Sequence, residues 1–154
     1  MHEKIGAILL RKGIIKEEQL VSSLQRQEAE LPRRRIGEIL IEQKFLGEEE
    51  LLEALSEQYQ IPFIKKIDRL DNDSKLMSRL PIEFARKHQF CPCYSEDNEL
   101  TLAITDPLKV HMLDDLGQLL GMKIRAVLTS SSEVDLAINE CYRSEEHTSE
   151  LQSP

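Results

Sequence analysis

A shift of 31 positions lays the first sixty or so residues of this chain upon themselves. Ile5-Gly6 falls on Ile36-Gly37, Ile8-Leu9 on Ile39-Leu40, Glu17-Glu18 on Glu48-Glu49, and Leu20, Leu24 and Gln27 fall on Leu51, Leu55 and Gln58. Similar pairs fill the gaps: Lys4 with Arg35, Leu10 with Ile41, Ile14 with Phe45, Ile15 with Leu46, and Val21 with Leu52. Nine identities in one register read as a duplicated structural unit, so whatever one copy folds into, the other must approximate.

Each copy parses as helix, turn, helix. Ile5, Ile8, Leu9 and Lys12 sit at helical spacing, Gly13 suits the left-handed position that closes a helix, and Lys16-Glu17-Glu18 starts a second helix with Leu20, Val21 and Leu24 as its apolar stripe. In the second copy Lys44 stands where the first has Gly13, and a side chain held at positive φ there costs on the order of 1 kcal/mol. Gly47, three residues on, offers an alternative place for that turn. Between the copies, Glu28 to Arg34 contains Pro32, and Arg33, Arg34 and Arg35 run consecutively, which makes this segment a loop.

After Gln58 the pattern changes. Ile61-Pro62-Phe63 reads as extended, Leu80-Pro81-Ile82 opens a helix through His88, and two strands are expected at Phe90 to Tyr94 and Leu100 to Ile104, joined by the polar turn Ser95 to Asn98. Asp106-Pro107 starts a helix that stops near Gly121, Lys123 to Leu128 is a third strand, and Ser130 or Ser131 caps a last helix. The expected fold class is α+β: a duplicated helix-turn-helix hairpin layer followed by a small β-β-α-β-α layer. The expected division is 1–60 for the hairpins, 61–79 for a linker and 80–142 for the α+β part. Residues 143–154 abandon the apolar pattern and resemble the translation of a DNA sequencing adapter; they are expected to be non-native, with a longer natural chain.

Composition narrows the function. Twenty Lys and Arg against 28 Asp and Glu give a net charge of -8, which argues against a DNA or RNA polymer or an anionic bilayer as the partner. No apolar run approaches a spanning helix, so direct membrane insertion is not expected, and three cysteines, an odd number, fit a reducing cytoplasmic compartment. The Cys-x-Cys pair Cys91 and Cys93 lacks the second paired element of a zinc site, and Cys141 reads as a small buried hydrophobe. Neither a nucleophile motif nor a phosphate loop is present, so these residues are read as non-enzymatic, with no catalytic residue, metal or required cofactor.

The duplicated pattern of a basic residue, Ile-Gly, a spaced Leu, two apolar residues after a turn and then Leu-x-x-x-Leu-x-x-Gln resembles the N-terminal domain of type II secretion and type IV pilus assembly ATPases. Leu80-Pro81, the Leu100 to Asp106-Pro107 stretch and the helix ending at Tyr142 extend the likeness to residues 4–142. The resemblance implies a regulatory module that binds cyclic-di-GMP, is attached to an ATPase core of the same parent chain, and works in the cytoplasm peripheral to the inner membrane. The alternative it implies is a docking domain that tethers the ATPase to an inner-membrane platform protein without binding nucleotide. Lys4 in place of Arg, Lys44 in place of Gly and an inter-motif stretch about two residues longer are departures from the family pattern.

The residues support an anion site on their own terms. Lys4-Ile5-Gly6 and Arg35-Ile36-Gly37 each put a cation and a small residue at a helix start, where unpaired N–H groups favour phosphate, and two such starts suit a ligand with two phosphates. Arg35 can offer a planar donor pair to guanine O6 and N7, which Lys4 cannot. Leu9, Leu24, Leu40 and Leu55 are candidates for packing against purine faces, with hairpin core as the competing role. The resemblance adds Gln27 and Gln58 near the ligand's polar groups, and Asp106 as an acceptor from guanine N1–H and N2–H₂. Arg33 and Arg34 read as solvated loop charges rather than phosphate contacts.

Overall fold

The computed structural model describes residues 4–71 and 74–142, and the chain divides into two compact units, residues 1–60 and 61–154. The adapter-like stretch 143–154 lies outside the described residues.

The first unit contains four helices, α1 (Ile5–Arg11), α2 (Glu17–Ala29), α3 (Ile36–Glu42) and α4 (Glu48–Tyr59). The duplication is visible bond by bond. After α1, the Gly13 N–H donates to the Leu10 carbonyl and the Ile14 N–H to that of Leu9, each at 3.0 Å. After α3, Lys44 and Phe45 make the equivalent bonds to Ile41 and Leu40 at 2.9 and 3.0 Å. Both turns use a left-handed residue, Gly13 at φ 74° and Lys44 at φ 64°. The turn is therefore kept with lysine in the glycine's place, and Gly47 does not relax it: Gly47 has φ -97° and serves as the N-cap of α4.

Both second helices start alike. Gln19 Oε1 accepts from the Lys16 N–H at 2.8 Å, and Glu50 Oε1 accepts from the Gly47 N–H at 2.9 Å, one residue pair per copy closing an otherwise open donor. Packing then crosses between copies, α1 against α4 and α2 against α3, which interchange under the repeat. Ile8, Leu9, Ile15, Leu40, Leu46 and Ala54 form one shared core. Burying such side chains is the main reason helices as short as α1 and α3 exist at all, since isolated helices of this length are unstable in water.

The second unit is an α+β layer, as expected. It comprises α5 (Ser74–Ser78), α6 (Ile82–His88), β1 (Phe90–Glu96), β2 (Glu99–Ile104), a 3₁₀ turn (Pro107–Lys109), α7 (Val110–Leu120), β3 (Lys123–Leu128) and α8 (Ser131–Cys141). β1 and β2 pair antiparallel through a two-residue turn, Asp97 and Asn98, both at positive φ. β2 and β3 pair parallel, so α7 must cross over between them. Leu100, Leu102, Ile104 and Leu128 are buried. A Cβ at Gly117 on α7 would lie 2.8 Å from the Met122 carbonyl oxygen, so only glycine lets this helix end fold back into β3.

The stretch 61–79, expected as a linker, is tied to the sheet. The Ile64 N–H donates to the Leu128 carbonyl at 2.8 Å and the Leu128 N–H to that of Pro62 at 2.7 Å, while the Asp71 N–H donates to the Cys93 carbonyl at 2.8 Å. These bonds satisfy backbone groups on the outer edges of β3 and β1 that would otherwise be open to strangers. Ser130 supplies the cap of α8, its Oγ accepting from the Glu133 N–H at 3.2 Å. The Tyr142 hydroxyl donates to the Leu80 carbonyl at 2.7 Å and fixes the end of that helix.

Candidate functional site

Lys4 and Arg35 occupy the same place in their copies. Each is the N-cap of its helix with extended backbone, φ -71°, ψ 152° for Lys4 and φ -68°, ψ 145° for Arg35, and both side chains are exposed. Their carbonyls accept from the Ile8 and Ile39 N–H groups at 3.2 and 3.3 Å, which starts each helix without a side-chain cap. The helices themselves are seven residues each, too short for a large macrodipole, so charge at this position comes from the side chains.

The glycines beside them have a packing reason. A Cβ at Gly6 would stand 3.1 Å from Leu20 Cδ1, and one at Gly37 would stand 2.9 Å from Leu51 Cδ2. Leu20 and Leu51 are repeat partners, so both copies use glycine to let the second helix of the hairpin lie close on the first. The space on the Cβ side of each glycine is filled by leucine, a packing use that stands beside the sequence expectation of N–H groups open to an anion.

The apolar candidates divide. Leu9 and Leu40 are completely buried in the shared core and Ile5 and Ile36 pack half-buried against it. Leu24 is 42% exposed and Val21 beside it 47%, so α2 presents an apolar strip to solvent, whereas Leu55 is half-buried. Leu24 has the most surface to offer, Leu55, Ile5 and Ile36 have some, and Leu9 and Leu40 have none.

Gln27 is brought directly to the second half-site. Its Nε2 donates to the Arg34 carbonyl at 2.7 Å, one residue before Arg35. The glutamine that ends the first repeat thus sits where the second repeat begins. Gln58 is half-buried and its amide makes no hydrogen bond to a described residue. The repeat-equivalent of the Gln27 bond would join Gln58 to residue 3, which is outside the described residues.

Arg34 departs from its reading as a solvated loop charge. Its Nε and Nη2 donate to the two oxygens of Glu30 at 2.9 and 3.2 Å, and its Nη1 donates to Glu42. Arg26 donates to the same two carboxylates at 3.0 and 3.1 Å. Bidentate hydrogen bonding from Arg34, reinforced by Arg26, brings the Glu30 carboxyl down to a pKa of about 2, and reciprocally raises the Arg34 guanidinium above its usual range. Two arginines and two glutamates therefore bind the inter-repeat loop to α2 and α3, immediately before Arg35. Across the α1–α4 contact, Glu57 accepts from Arg11 at 2.5 Å and pairs with Lys12 at 3.2 Å, contacts that lower its pKa in that order.

Asp106 belongs to the second unit and has a local task. Its Oδ1 accepts from the Leu108 N–H at 3.0 Å, capping the 3₁₀ turn that leads into α7. Cys91 and Cys93 are buried in β1, while Cys141, expected to be buried, is only partly so. Among the described residues no group of three or more His, Cys, Asp or Glu could hold a metal ion, and no helix is long and apolar enough to cross a membrane.

Comparison with known proteins adds to this geometry. Residues 59–148 match the MshEN domain. Type IV pilus assembly ATPase PilB of Myxococcus xanthus (strain DK1622) is 30% identical over 142 residues, which is 92% of this chain and 25% of PilB; the chain spans about a quarter of that relative's length. A structure of MshE with cdg superposes with a TM-score of 0.74 at 27% identity, covering 91% of this chain and 99% of that one. The N-terminal domain of XpsE superposes with a TM-score of 0.66 at 19% identity, covering 90% and 97%, a likeness of fold.

Proposed function

The chain belongs to the MshEN domain family, and from that premise we propose that it is the N-terminal regulatory module of a type II secretion or type IV pilus assembly ATPase, binding cyclic-di-GMP through its two repeated hairpins. One observation carries the reading: the basic residues Lys4 and Arg35 cap the same helix in each copy of a repeat, in a chain whose fold matches MshE with cdg over 99% of that structure. The MshEN match lies mostly in the second unit, so support for a ligand on the first unit comes from this superposition and from the repeat.

In the proposed complex the two half-sites divide the ligand. Arg35 pairs with guanine O6 and N7 or with a phosphate, held in place by the salt-linked loop before it and by Gln27. Lys4 meets the other half as a point charge, with Gln58 beside it. Leu24 and Leu55 offer apolar surface to the purines, and Ile5, Gly6, Leu9, Ile36, Gly37 and Leu40 form the packed floor beneath. Asp106 is left out of this set because its carboxylate already caps the 3₁₀ turn.

Binding regulates the motor only through a difference in ligand affinity between two arrangements of this module and the ATPase core of the parent chain. Such a module works in the cytoplasm, reaching the inner membrane through a partner. The exposed strip of Val21 and Leu24 favours a second reading, in which the domain docks on an inner-membrane platform protein without nucleotide.

Calorimetric titration of the 154-residue chain with cyclic-di-GMP separates the two. Under the first reading Arg35→Ala weakens binding about 10- to 100-fold, the worth of a bidentate contact to a base. Lys4→Arg tightens it. Absence of binding heat at millimolar ligand, across several temperatures, defeats the nucleotide reading and leaves docking.

A further inference from the structure

We infer that Cys91 and Cys141 are a dithiol site for reversible oxidation, closed to a disulfide by a low-molecular-weight disulfide such as oxidised glutathione. The two sulfurs are 3.3 Å apart, although fifty residues separate them in the chain. Both thiols also point at one acceptor, the Pro92 carbonyl, at 3.5 Å from Cys91 and 3.4 Å from Cys141. A disulfide has its sulfurs about 2.05 Å apart, so closure asks for little over an ångström of approach, within the reach of side-chain torsions on a helix end.

The two cysteines differ in a way that orders the reaction. Cys91 is completely buried in β1, whereas Cys141 is the last residue of α8 and is partly exposed. The Cys141 thiolate attacks the small disulfide R–S–S–R, forming Cys141–S–S–R and releasing one thiolate. Cys91 then loses its proton and attacks the Cys141 sulfur, forming the Cys91–Cys141 bond and releasing the second thiolate. The two protein protons end on the two released thiols, the protein is oxidised by two electrons, and R–S–S–R is reduced to 2 R–SH. In the free dithiol, contact with Cys141, then Cys93, together with burial holds the Cys91 thiol above its ordinary range, which leaves Cys141 to react first.

Cys93 is the competing partner, two residues from Cys91 on the same strand. Its thiol donates to the Cys91 carbonyl at 3.5 Å and also reaches the Cys91 thiol, but Cys93 is buried, so the small disulfide meets Cys141 first. Closure between Cys91 and Cys141 pins the last turn of α8 to β1 and bridges a long loop, so it should restrict the unfolded chain considerably. The inference concerns the second unit alone and is independent of nucleotide binding by the first.

The test is incubation of the 154-residue chain in oxidised glutathione at pH 8, followed by acid quenching, alkylation in denaturant and peptide mapping. The expected product has lost two hydrogen atoms, joins the Cys91 and Cys141 peptides, leaves Cys93 alkylated, and unfolds at a temperature higher by about 5 °C or more until dithiothreitol reverses it. Cys93→Ser keeps the cross-link and Cys141→Ser abolishes it. A lasting glutathione adduct on Cys141, a Cys91–Cys93 link, or full alkylation of all three thiols overturns the inference, and these are read from the unsubstituted protein whether or not a variant folds.

Discussion

Replacing Gly37 by alanine separates a packing glycine from a ligand-approach glycine. The new Cβ would stand 2.9 and 3.0 Å from the two methyl carbons of Leu51, against 3.1 and 3.2 Å from those of Leu20 for the same change at Gly6. Carbon atoms rest comfortably at about 3.5–4.0 Å, so the shortfall is about half an ångström at Gly37 and somewhat less at Gly6. Overpacking of this kind costs about 1–3 kcal/mol, while exchanging glycine for alanine in a helix returns at most about 1 kcal/mol. Gly37→Ala should therefore lose about 1 kcal/mol and Gly6→Ala should be near neutral. The leucine methyls are the yielding partner, so Leu51→Ala should cancel the penalty, with a coupling of about 1 kcal/mol in a double-mutant cycle. Urea denaturation followed by far-UV circular dichroism reads all four members of the cycle. An unchanged midpoint for Gly37→Ala together with zero coupling to Leu51 would refute the packing account and return the glycine to a role at the ligand.

Lys44→Gly should stabilise the chain by up to about 1 kcal/mol, because Lys44 holds a left-handed backbone that glycine adopts without strain; a lower thermal midpoint would contradict this. Glu30 has a folded pKa of about 2, below its ordinary 4.5, so its contribution is fully present above about pH 4.5 and is lost as pH falls towards 2. A carboxyl carbon NMR titration should place Glu30 low in the unsubstituted chain and move it back towards the ordinary range in Arg34→Ala, with Arg26 holding part of the shift; an unmoved midpoint would detach the shift from Arg34. Arg11→Glu and Glu57→Arg should each lower stability and together recover most of the loss, Lys12 opposing full recovery. The thermal midpoint of the double variant reads this, and one no better than the singles would mean the pair is not a unit.

The repeat was legible because it is local: identical residue types at fixed spacing make identical turns, down to the paired bonds after α1 and α3. Strand positions in the second unit were legible for the same reason, each being a short run of β-forming residues bounded by turn signals. What escaped depends on the other copy or on distance. Arg34, like Arg33, reads as a solvated loop charge until α2 and α3 bring Glu30 and Glu42 to it. The edge pairing of Pro62, Ile64 and Asp71 escaped because single backbone bonds beside prolines leave no periodic signal. The packing use of the glycines escaped differently: a small residue at a helix start has two physical uses, and this one is read only from the distance to Leu20 or Leu51.

The repeat also constrains geometry more tightly than residue type. Positions 11 and 42 are equivalent, as are 26 and 57, yet Arg11 pairs with Glu57 while Glu42 pairs with Arg26. The same contact persists with its polarity reversed, so the crossed packing of α1 on α4 and α3 on α2 has been kept while charge was free to change places. The crossing has a consequence for the proposed site. Gln27 of the first copy is bonded to the residue before Arg35 of the second, so the Arg35 half-site is assembled from both copies and cannot form within one hairpin. In the proposed complex, with helices only two turns long, contact to a phosphate or guanine falls to the side chains of Arg35 and Lys4, with Gln27 brought to the Arg35 half-site by the first repeat. The second hairpin alone, however well folded, would carry Arg35 without Gln27.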